Sequence, residues 1–419
     1  MIKVGILGLG TVGGGVVKIL QERSADFEAL LGEPLVITCV MSRRSHRLEE
    51  LGLSKEIYTD SFETFQKSNP DIVVEVMGGD APAETILKAL ESGKKVVTAN
   101  KALLANRARD FMGHSKGEFL FYEASCCGGI PIISAYEDGL TANRIDRLLG
   151  IFNGTCNYIL SEMTQKGSDF AEVLAEAQRL GYAEADPTFD VEGIDATHKL
   201  CLLGSLSFQG SVPFDAIPSQ GITRLSPDDF KWASQNGYTI KLISIGEREG
   251  EGIFAGTFPC MIPSGHPMAH VGGAFNAVYI EGDQVGELMF YGAGAGERPT
   301  ASAVVSDLVA AAQSRARVLS KKVFSEGKSL SVHSDRDLQF FIRLKTPDEV
   351  GVLSRLCDGF GQQGISLRSV DQAPPFDGQA EIVFITHPTT GGNLEKALDS
   401  LQSDGLILGD VFSMRILDL

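Results

Sequence analysis

The sequence is short of positive charge: 37 Lys and Arg stand against 54 Asp and Glu, a formal net charge of −17. Nucleic acid and anionic membrane are excluded as expected partners, because either attracts a basic face. The seven cysteines include no C-x-x-C pair and no metal-ligand spacing. Their odd number also speaks against a disulfide framework, so a reduced, cytoplasmic protein is expected. No apolar stretch is long enough to cross a bilayer. Met1 leads directly into a strand-like segment without a basic n-region or a small-residue cleavage site, so no signal peptide is read. Tryptophan occurs once, but 23 phenylalanines and eight tyrosines supply a core.

What is present is globular in texture. At 43% apolar and 22% charged residues, the composition is ordinary for a folded protein. A length of 419 residues exceeds one hydrophobic core and predicts two or three domains. The 47 glycines imply many tight turns. Short apolar runs at Lys3–Leu7, Leu35–Val40, Ile72–Val76, Lys95–Thr98 and Phe119–Tyr122 alternate with helical stretches. That alternation predicts a doubly wound parallel sheet of the Rossmann type over residues 1–133.

Beyond Pro131 the pattern changes. Helical periodicity at Ala171–Leu180 and Gly193–Leu206 precedes strand-like pieces at Tyr238–Gly246, Ala255–Pro263 and Ala277–Glu281, an α+β catalytic and dimerisation domain over 134–300. A helix over Ala301–Phe324 is expected to pack back onto the first domain, and Ser325–Asp337 reads as a linker. Residues 338–419 read strand, helix, strand, strand, helix, strand: a separate ferredoxin-like βαββαβ domain. Its first helix is expected to carry Val350, Leu353, Leu356 and Phe360 on one face, and its last strand to bury Phe412, Met414 and Ile416.

The loop Gly8-Leu9-Gly10-Thr11-Val12-Gly13 follows the first strand and opens a helix. G-x-G-x-x-G in that context predicts a dinucleotide site: Gly8 for the turn, Gly10 for approach to the pyrophosphate, Gly13 for close helix–strand packing. Phosphates then meet the free N–H groups of the helix start, at Thr11 and Val12. The second strand ends without the acidic residue that binds a ribose 2′-hydroxyl. Met41-Ser42-Arg43-Arg44 stands there instead. Arg43 and Arg44 can clamp a 2′-phosphate, which favours NADP(H) over NAD(H); a solvated basic turn is the plainer alternative.

Three segments hold candidate chemistry: Thr98–Ala105, Gly150–Leu160, and Leu180–Pro187 running on to Asp190, Asp195 and Lys199. Lys101 falls just past a parallel strand, at the sheet edge where ligands bind. Asp195 and Lys199 are four apart on one helix and share a face. A lysine held protonated beside a carboxylate can act as a general acid, although most such pairs are surface salt bridges.

These segments, together with Gly294–Ala303, resemble the homoserine dehydrogenase family over nearly the whole chain. The resemblance implies interconversion of L-homoserine and L-aspartate 4-semialdehyde, a step toward threonine, methionine and isoleucine. It implies that Lys199 donates or accepts the proton, that Asp195 orients substrate and lysine, and that Lys101 adds positive charge near the reacting oxygen or the cofactor. Glu184 is implied to bind the substrate ammonium. The resemblance also implies that Asp190 and Thr155 line the same pocket and that Gly181 and Gly296 bring backbone close to ligand. A monovalent cation, Na⁺ or K⁺, is implied on Glu123 and the carbonyls of Cys126, Gly128 and Ile130. Cysteines replace the valine and the small residue expected at 126 and 127.

Those cysteines carry the rival reading, a phosphorylating aldehyde dehydrogenase of the aspartate-semialdehyde type with Cys126 or Cys127 as nucleophile. That chemistry needs a base to form thiolate, and no histidine stands in a matching context. A non-catalytic amino-acid sensor is the third reading. Residues 338–419 resemble an ACT domain through Asp348-Glu349-Val350-Gly351-Val352-Leu353, Gly364-Ile365-Ser366-Leu367 and Gln372, with Val350-Gly351 where Pro-Gly is usual. That resemblance implies threonine as effector and pairing between subunits of a homodimer or homotetramer.

Overall fold

The computed structural model describes residues 1–419, the side chains of Ala105 and Asn106 excepted. Six strands form the first sheet: β1 Ile2–Leu7, β2 Leu35–Met41, β3 Tyr58–Thr59, β4 Ile72–Glu75, β5 Lys95–Thr98 and β6 Leu120–Phe121. Their order is β3-β2-β1-β4-β5-β6 and every pairing is parallel. The order reverses between β1 and β4, and the glycine loop leaves β1 at that switch point. β3, only two residues long, is too short to leave a pattern in the sequence.

The second sheet is larger and mixed. β7 Ile145–Ile151, β8 Tyr238–Glu249, β9 Gly252–Pro263, β10 Phe275–Gly282 and β11 Gly286–Ala293 run β11-β10-β7-β8-β9 in antiparallel pairs. The short β12, Val332–His333, adds to β9 in parallel. Helices Gly154–Lys166 and Ile194–Phe208 pack on this sheet, and residues of the first turns of both line a cavity shared with Ala99 and Lys101 at the end of β5.

The C-terminal unit has the ACT pattern: β13 Gln339–Pro347, helix Val352–Gln362, β14 Leu367–Gln372, β15 Gln379–Thr386, helix Gly391–Ser403 and β16 Leu408–Ile416, in order β16-β13-β15-β14. It does not stand alone. β16 pairs in parallel with β9 through Arg415 opposite Cys260 and Ile416 opposite Met261, so one sheet runs through both units. The Arg343 guanidinium donates to the buried Asp229 carboxylate at 2.8 and 3.3 Å, and Arg336, from the segment read as a linker, pairs with Glu247 of β8.

Two expectations need correction. The helix read as Ala301–Phe324 is two helices, Glu297–Ala312 and Val318–Glu326. Ser314 adopts φ 59° between them, and the turn carries Arg317 back onto Asp307. The first of these helices packs on Thr11–Glu22 so closely that a Cβ on Gly15 would meet Ala301 at 2.9 Å. In the C-terminal unit, Gly351 at φ 89° delays the helix to Val352. Its buried face is therefore Val352, Leu356 and Phe360, while Val350 is fully exposed and Leu353 is exposed too. Phe412, Met414 and Ile416 are buried, as the alternation of the last strand requires.

Candidate active site

Two cavities open along the switch edge of the first sheet. The smaller, about 280 Å³, is lined by Gly8, Leu9, Gly10, Thr11, Ser42, Arg43, Arg44, Val76 and Met77. Gly8 takes φ 107°, a turn that a side chain rarely allows. A Cβ on Gly10 would point into open space, leaving room for a ligand. Gly13 works differently: its Cβ would stand 2.1 Å from the Gly8 carbonyl, so it lets the helix close on the strand. Val12 and Gly13 do not line this cavity. Arg43 and Arg44 do, both exposed at its rim.

The larger cavity, about 480 Å³, gathers residues from all three chemical segments. Lys101, Thr155, Gly181, Asp190, Asp195 and Lys199 line it, with Gly128 and Gly296 on the side of the first sheet. Lys101 reaches it because Asn100 caps its helix, accepting from the Leu103 N–H at 3.1 Å, while the Asn100 amide donates to the Gly79 carbonyl at 2.7 Å. Beneath them the buried Glu75 accepts from Thr98 Oγ1 at 2.6 Å and from the Met77 N–H at 2.8 Å. These bonds fix the C-terminal edge of β4 and β5.

Asp195 and Lys199 project from one face of Ile194–Phe208, 2% and 7% exposed. Lys199 Nζ donates to Asp195 Oδ2 at 2.8 Å and to the Phe152 carbonyl at 2.6 Å. Lys101 pairs with Asp195 Oδ1. Burial alone would raise the Asp195 carboxyl, but Lys199 and Lys101 hold it well below the usual carboxylate range. For Lys199, burial opposes the charge, yet Asp195 leaves the ammonium above an ordinary lysine value. An ammonium has three hydrogens. Two are directed at Asp195 and Phe152, and the third is left for whatever occupies the cavity.

The sequence motif held Asn153 without assigning it a task. Its Oδ1 accepts from the Cys156 N–H at 2.8 Å, capping the helix Gly154–Lys166, and its Nδ2 donates to Asp190 at 2.7 Å and to Asp195 at 3.0 Å. Asn followed by Gly-Thr after a strand is a helix-start signal, so the cap was readable and the bridge was not. Thr155 Oγ1 donates to the Tyr182 carbonyl at 2.6 Å, tying the helix start to the loop after Gly181. Glu184 is not brought in. It is exposed, does not line the cavity, and its carbonyl accepts from Gln178.

Two of the four residues named for a cation, Glu123 and Ile130, are otherwise engaged. The Glu123 carboxylate accepts from the Ile133 N–H at 2.7 Å, the Ser134 N–H at 2.8 Å and Ser134 Oγ at 2.5 Å, with Arg317 3.9 Å away. The Ile130 carbonyl accepts from the Ile132 N–H at 2.8 Å. A carboxylate so saturated does not fit a cation ligand. Cys126 and Cys127 are 0% and 1% exposed. Burial raises both thiols, Cys127 to about 11, which removes the thiolate that an acyl-transfer reading requires. The nearest histidine in sequence to Lys199, His198, has its ring between Phe189 and Phe214.

A Rossmann sheet with a glycine-loop cavity, beside a second cavity holding a buried lysine–carboxylate pair, defines a dinucleotide-dependent oxidoreductase. Comparison with known proteins narrows that class. Residues 8–113 match the NAD-binding domain of homoserine dehydrogenase, residues 131–309 the homoserine dehydrogenase family proper, and residues 340–405 the ACT domain. The homoserine dehydrogenase of Bacillus subtilis is 40% identical over 96% of this chain and 94% of its own. That of Mycobacterium tuberculosis is 41% identical over 97% of this chain and 95% of its own. The crystal structure of the Thiobacillus denitrificans homoserine dehydrogenase superposes with a TM-score of 0.91 at 38% identity, covering 100% of this chain and 98% of that one. The chain belongs to the homoserine dehydrogenase family, oxidoreductases acting on a CH–OH group.

Proposed function

We propose that the larger cavity interconverts L-aspartate 4-semialdehyde and L-homoserine with NADP(H), Lys199 handling the proton. The observation that carries this is the third ammonium hydrogen of Lys199, free at the wall of a cavity that also presents Lys101 and Asp190. A bound reduced nicotinamide supplies the hydride. Lys199 protonates the oxygen on which negative charge develops, and in the reverse direction accepts the hydroxyl proton. Asp195 keeps Lys199 charged and aimed, and Asn153 keeps Asp195 from turning away. Lys101 adds a second positive charge beside that oxygen. Asp190 and Thr155 face the amino-acid end of the substrate. Glu184, exposed outside the cavity, has no part in this reading.

NADP(H) is preferred in this reading because Arg43 and Arg44 rim the glycine-loop cavity where no carboxylate stands. A hyperthermophilic archaeal homoserine dehydrogenase, 26% identical with a TM-score of 0.64 over 75% of this chain, has been solved with NADPH. A monovalent cation would have the backbone carbonyls of Cys126 and Gly128 to rest on, with that of Ile130 already accepting the Ile132 N–H, and no step above requires one. The C-terminal unit is read as a threonine-responsive module that pairs with a second copy, since Val350, Val370 and Phe376 lie exposed on it.

One assay tests the reading: oxidation of NADPH and of NADH with aspartate semialdehyde, for the wild type and Lys199→Ala, with and without threonine. Turnover is expected with NADPH over NADH, lost in Lys199→Ala and lowered by threonine. Wild-type turnover in Lys199→Ala refutes the mechanism; equal use of the two cofactors refutes the arginine clamp; indifference to threonine refutes the effector.

A further inference from the structure

Asn276, the second residue of β10, is 1% exposed, a buried position where a polar side chain is costly unless paired. Its Nδ2 donates at 3.0 Å to the Phe152 carbonyl, the same oxygen that accepts from Lys199 Nζ at 2.6 Å. Its Oδ1 has no hydrogen-bond partner among the described residues. A buried amide that leaves one end unpaired is destabilising. The Cys127 thiol lies beside this amide, and the bond through Nδ2 is the one that links it to Lys199.

The segment that delivers Asn276 is anchored from behind. Asn157 Nδ2 faces the carbonyls of Val271, Gly273 and Phe275 at 3.1, 2.9 and 3.1 Å. Lys241, 3% exposed, donates to Asn157 Oδ1 at 3.2 Å and to the Val271 carbonyl at 2.5 Å. In front, a Cβ on Gly294 would stand 2.2 Å from the Asn276 amide, so the glycine leaves the space that the amide fills. The amide cannot swing away on either side.

We propose that Asn276 is a positioning residue that sets the acidity of Lys199 through their shared acceptor, the Phe152 carbonyl. A carbonyl oxygen that already accepts one hydrogen bond is a poorer acceptor for a second. With the Asn276 donor removed, the oxygen bonds the ammonium more strongly and favours its charged form. The other groups facing Lys199 are Asp195 on its own helix, Lys101 across that carboxylate, and the thiols of Cys126, Cys127 and Cys156; Asp190 reaches it through Asn153. None of these is touched by a change at Asn276 except Cys127, whose thiol faces the amide and stays protonated at working pH.

The proposal rests on Lys199 being the proton carrier, and its test separates the two ideas. In homoserine oxidation Lys199 must shed a proton to accept one, so kcat rises with pH along a limb that reports its titration. That limb is measured for the wild type, Asn276→Leu, Asn276→Ser and Lys199→Ala, with folding checked by thermal melting. Both Asn276 variants remove the amide donor, and the smaller serine serves if leucine is not accommodated. The limb is expected to move to higher pH by about half to one unit, with KM for NADP unchanged. A folded Asn276 variant with a wild-type limb overturns the proposal alone. A wild-type limb in Lys199→Ala overturns the underlying assignment.

Discussion

Two clusters of three charges in the chain are mirror images. In the cavity a carboxylate, Asp195, sits between two lysines, Lys101 and Lys199. Behind the first sheet a guanidinium, Arg317, sits between two carboxylates, Asp307 at 2.5 Å and Glu123 at 3.9 Å. In the second cluster every carboxylate oxygen is taken: Asp307 also accepts the Glu123 N–H at 2.7 Å, and Glu123 accepts from residues 133 and 134. In the first, a hydrogen of Lys199 is left over and faces open volume. The same ingredients form a closed knot where both carboxylates are fully bonded and, under the proposed function, a reagent where an ammonium hydrogen faces a cavity. The titration behaviour differs as well. Two lysines overcome burial at Asp195 and hold its carboxyl down. One arginine does not overcome it behind the sheet, where burial pushes Glu123 up and Asp307 to about 7.

Breaking each cluster should therefore break something different. Lys199→Ala is expected to lower kcat by about a hundred- to ten-thousand-fold, the usual worth of a positioned acid–base group, and to lower the melting temperature as well, because the buried Asp195 then keeps only Lys101; rates at saturating substrate per folded molecule measure the first effect. Arg317→Met leaves two carboxylates buried without their cation and should cost about 3–5 kcal/mol of stability in denaturant titration. Its turnover per folded molecule should stay near wild type. An active-site defect in the folded Arg317→Met protein would erase the distinction between scaffold and reagent.

Replacing Arg43 and Arg44 by alanine is expected to reduce preference for NADPH over NADH by about tenfold or more, read as the ratio of kcat/KM values, because charge-assisted bonds to a 2′-phosphate are lost. The smallest effect sharpens the contrast in pH. A carboxyl raised in the folded state contributes stability that is present at low pH and lost as pH rises through the folded value. For Asp307 that window runs from about 4 to about 7. Asp195, lowered on folding, contributes in the opposite sense, losing its contribution as pH falls below the usual carboxylate range. Thermal melting across pH 4–8 should flatten in Asp307→Asn; an unaltered slope would place the raised titration elsewhere.

The sequence made the glycine loop, the buried parallel strands and the Asp195–Lys199 spacing visible, because each is local and periodic. It concealed what depends on distant partners. β7 was missed since Asp146 and Arg147 interrupt its apolar run, and Arg147 is explained only by Glu247 and Glu281 on neighbouring strands. The Glu123–Asp307–Arg317 cluster joins positions 184 and 10 residues apart in the chain. Asn276 stands in an unremarkable Phe-Asn-Ala, and its meaning arises where β10 meets the end of β7. The helix break at Ser314 carries no glycine or proline, only the pull of Arg317 toward a buried acid. Glu184 marks the opposite case: a motif position that was legible but lies outside the cavity geometry.

The pairing of β16 with β9 is only two residues long in register, yet it makes the C-terminal unit a splice and not a plug-in. Exchanging residues 338–419 for the corresponding stretch of a relative is a problem of carpentry. The incoming strand must keep its register opposite Cys260 and Met261, with a cation in the place of Arg343 to meet Asp229. A simple truncation leaves β9 with a raw edge and Asp229 with an uncompensated buried charge. Any change of activity in such a stump would report damage to the joint, so the grain of the shared sheet decides where this chain can be cut.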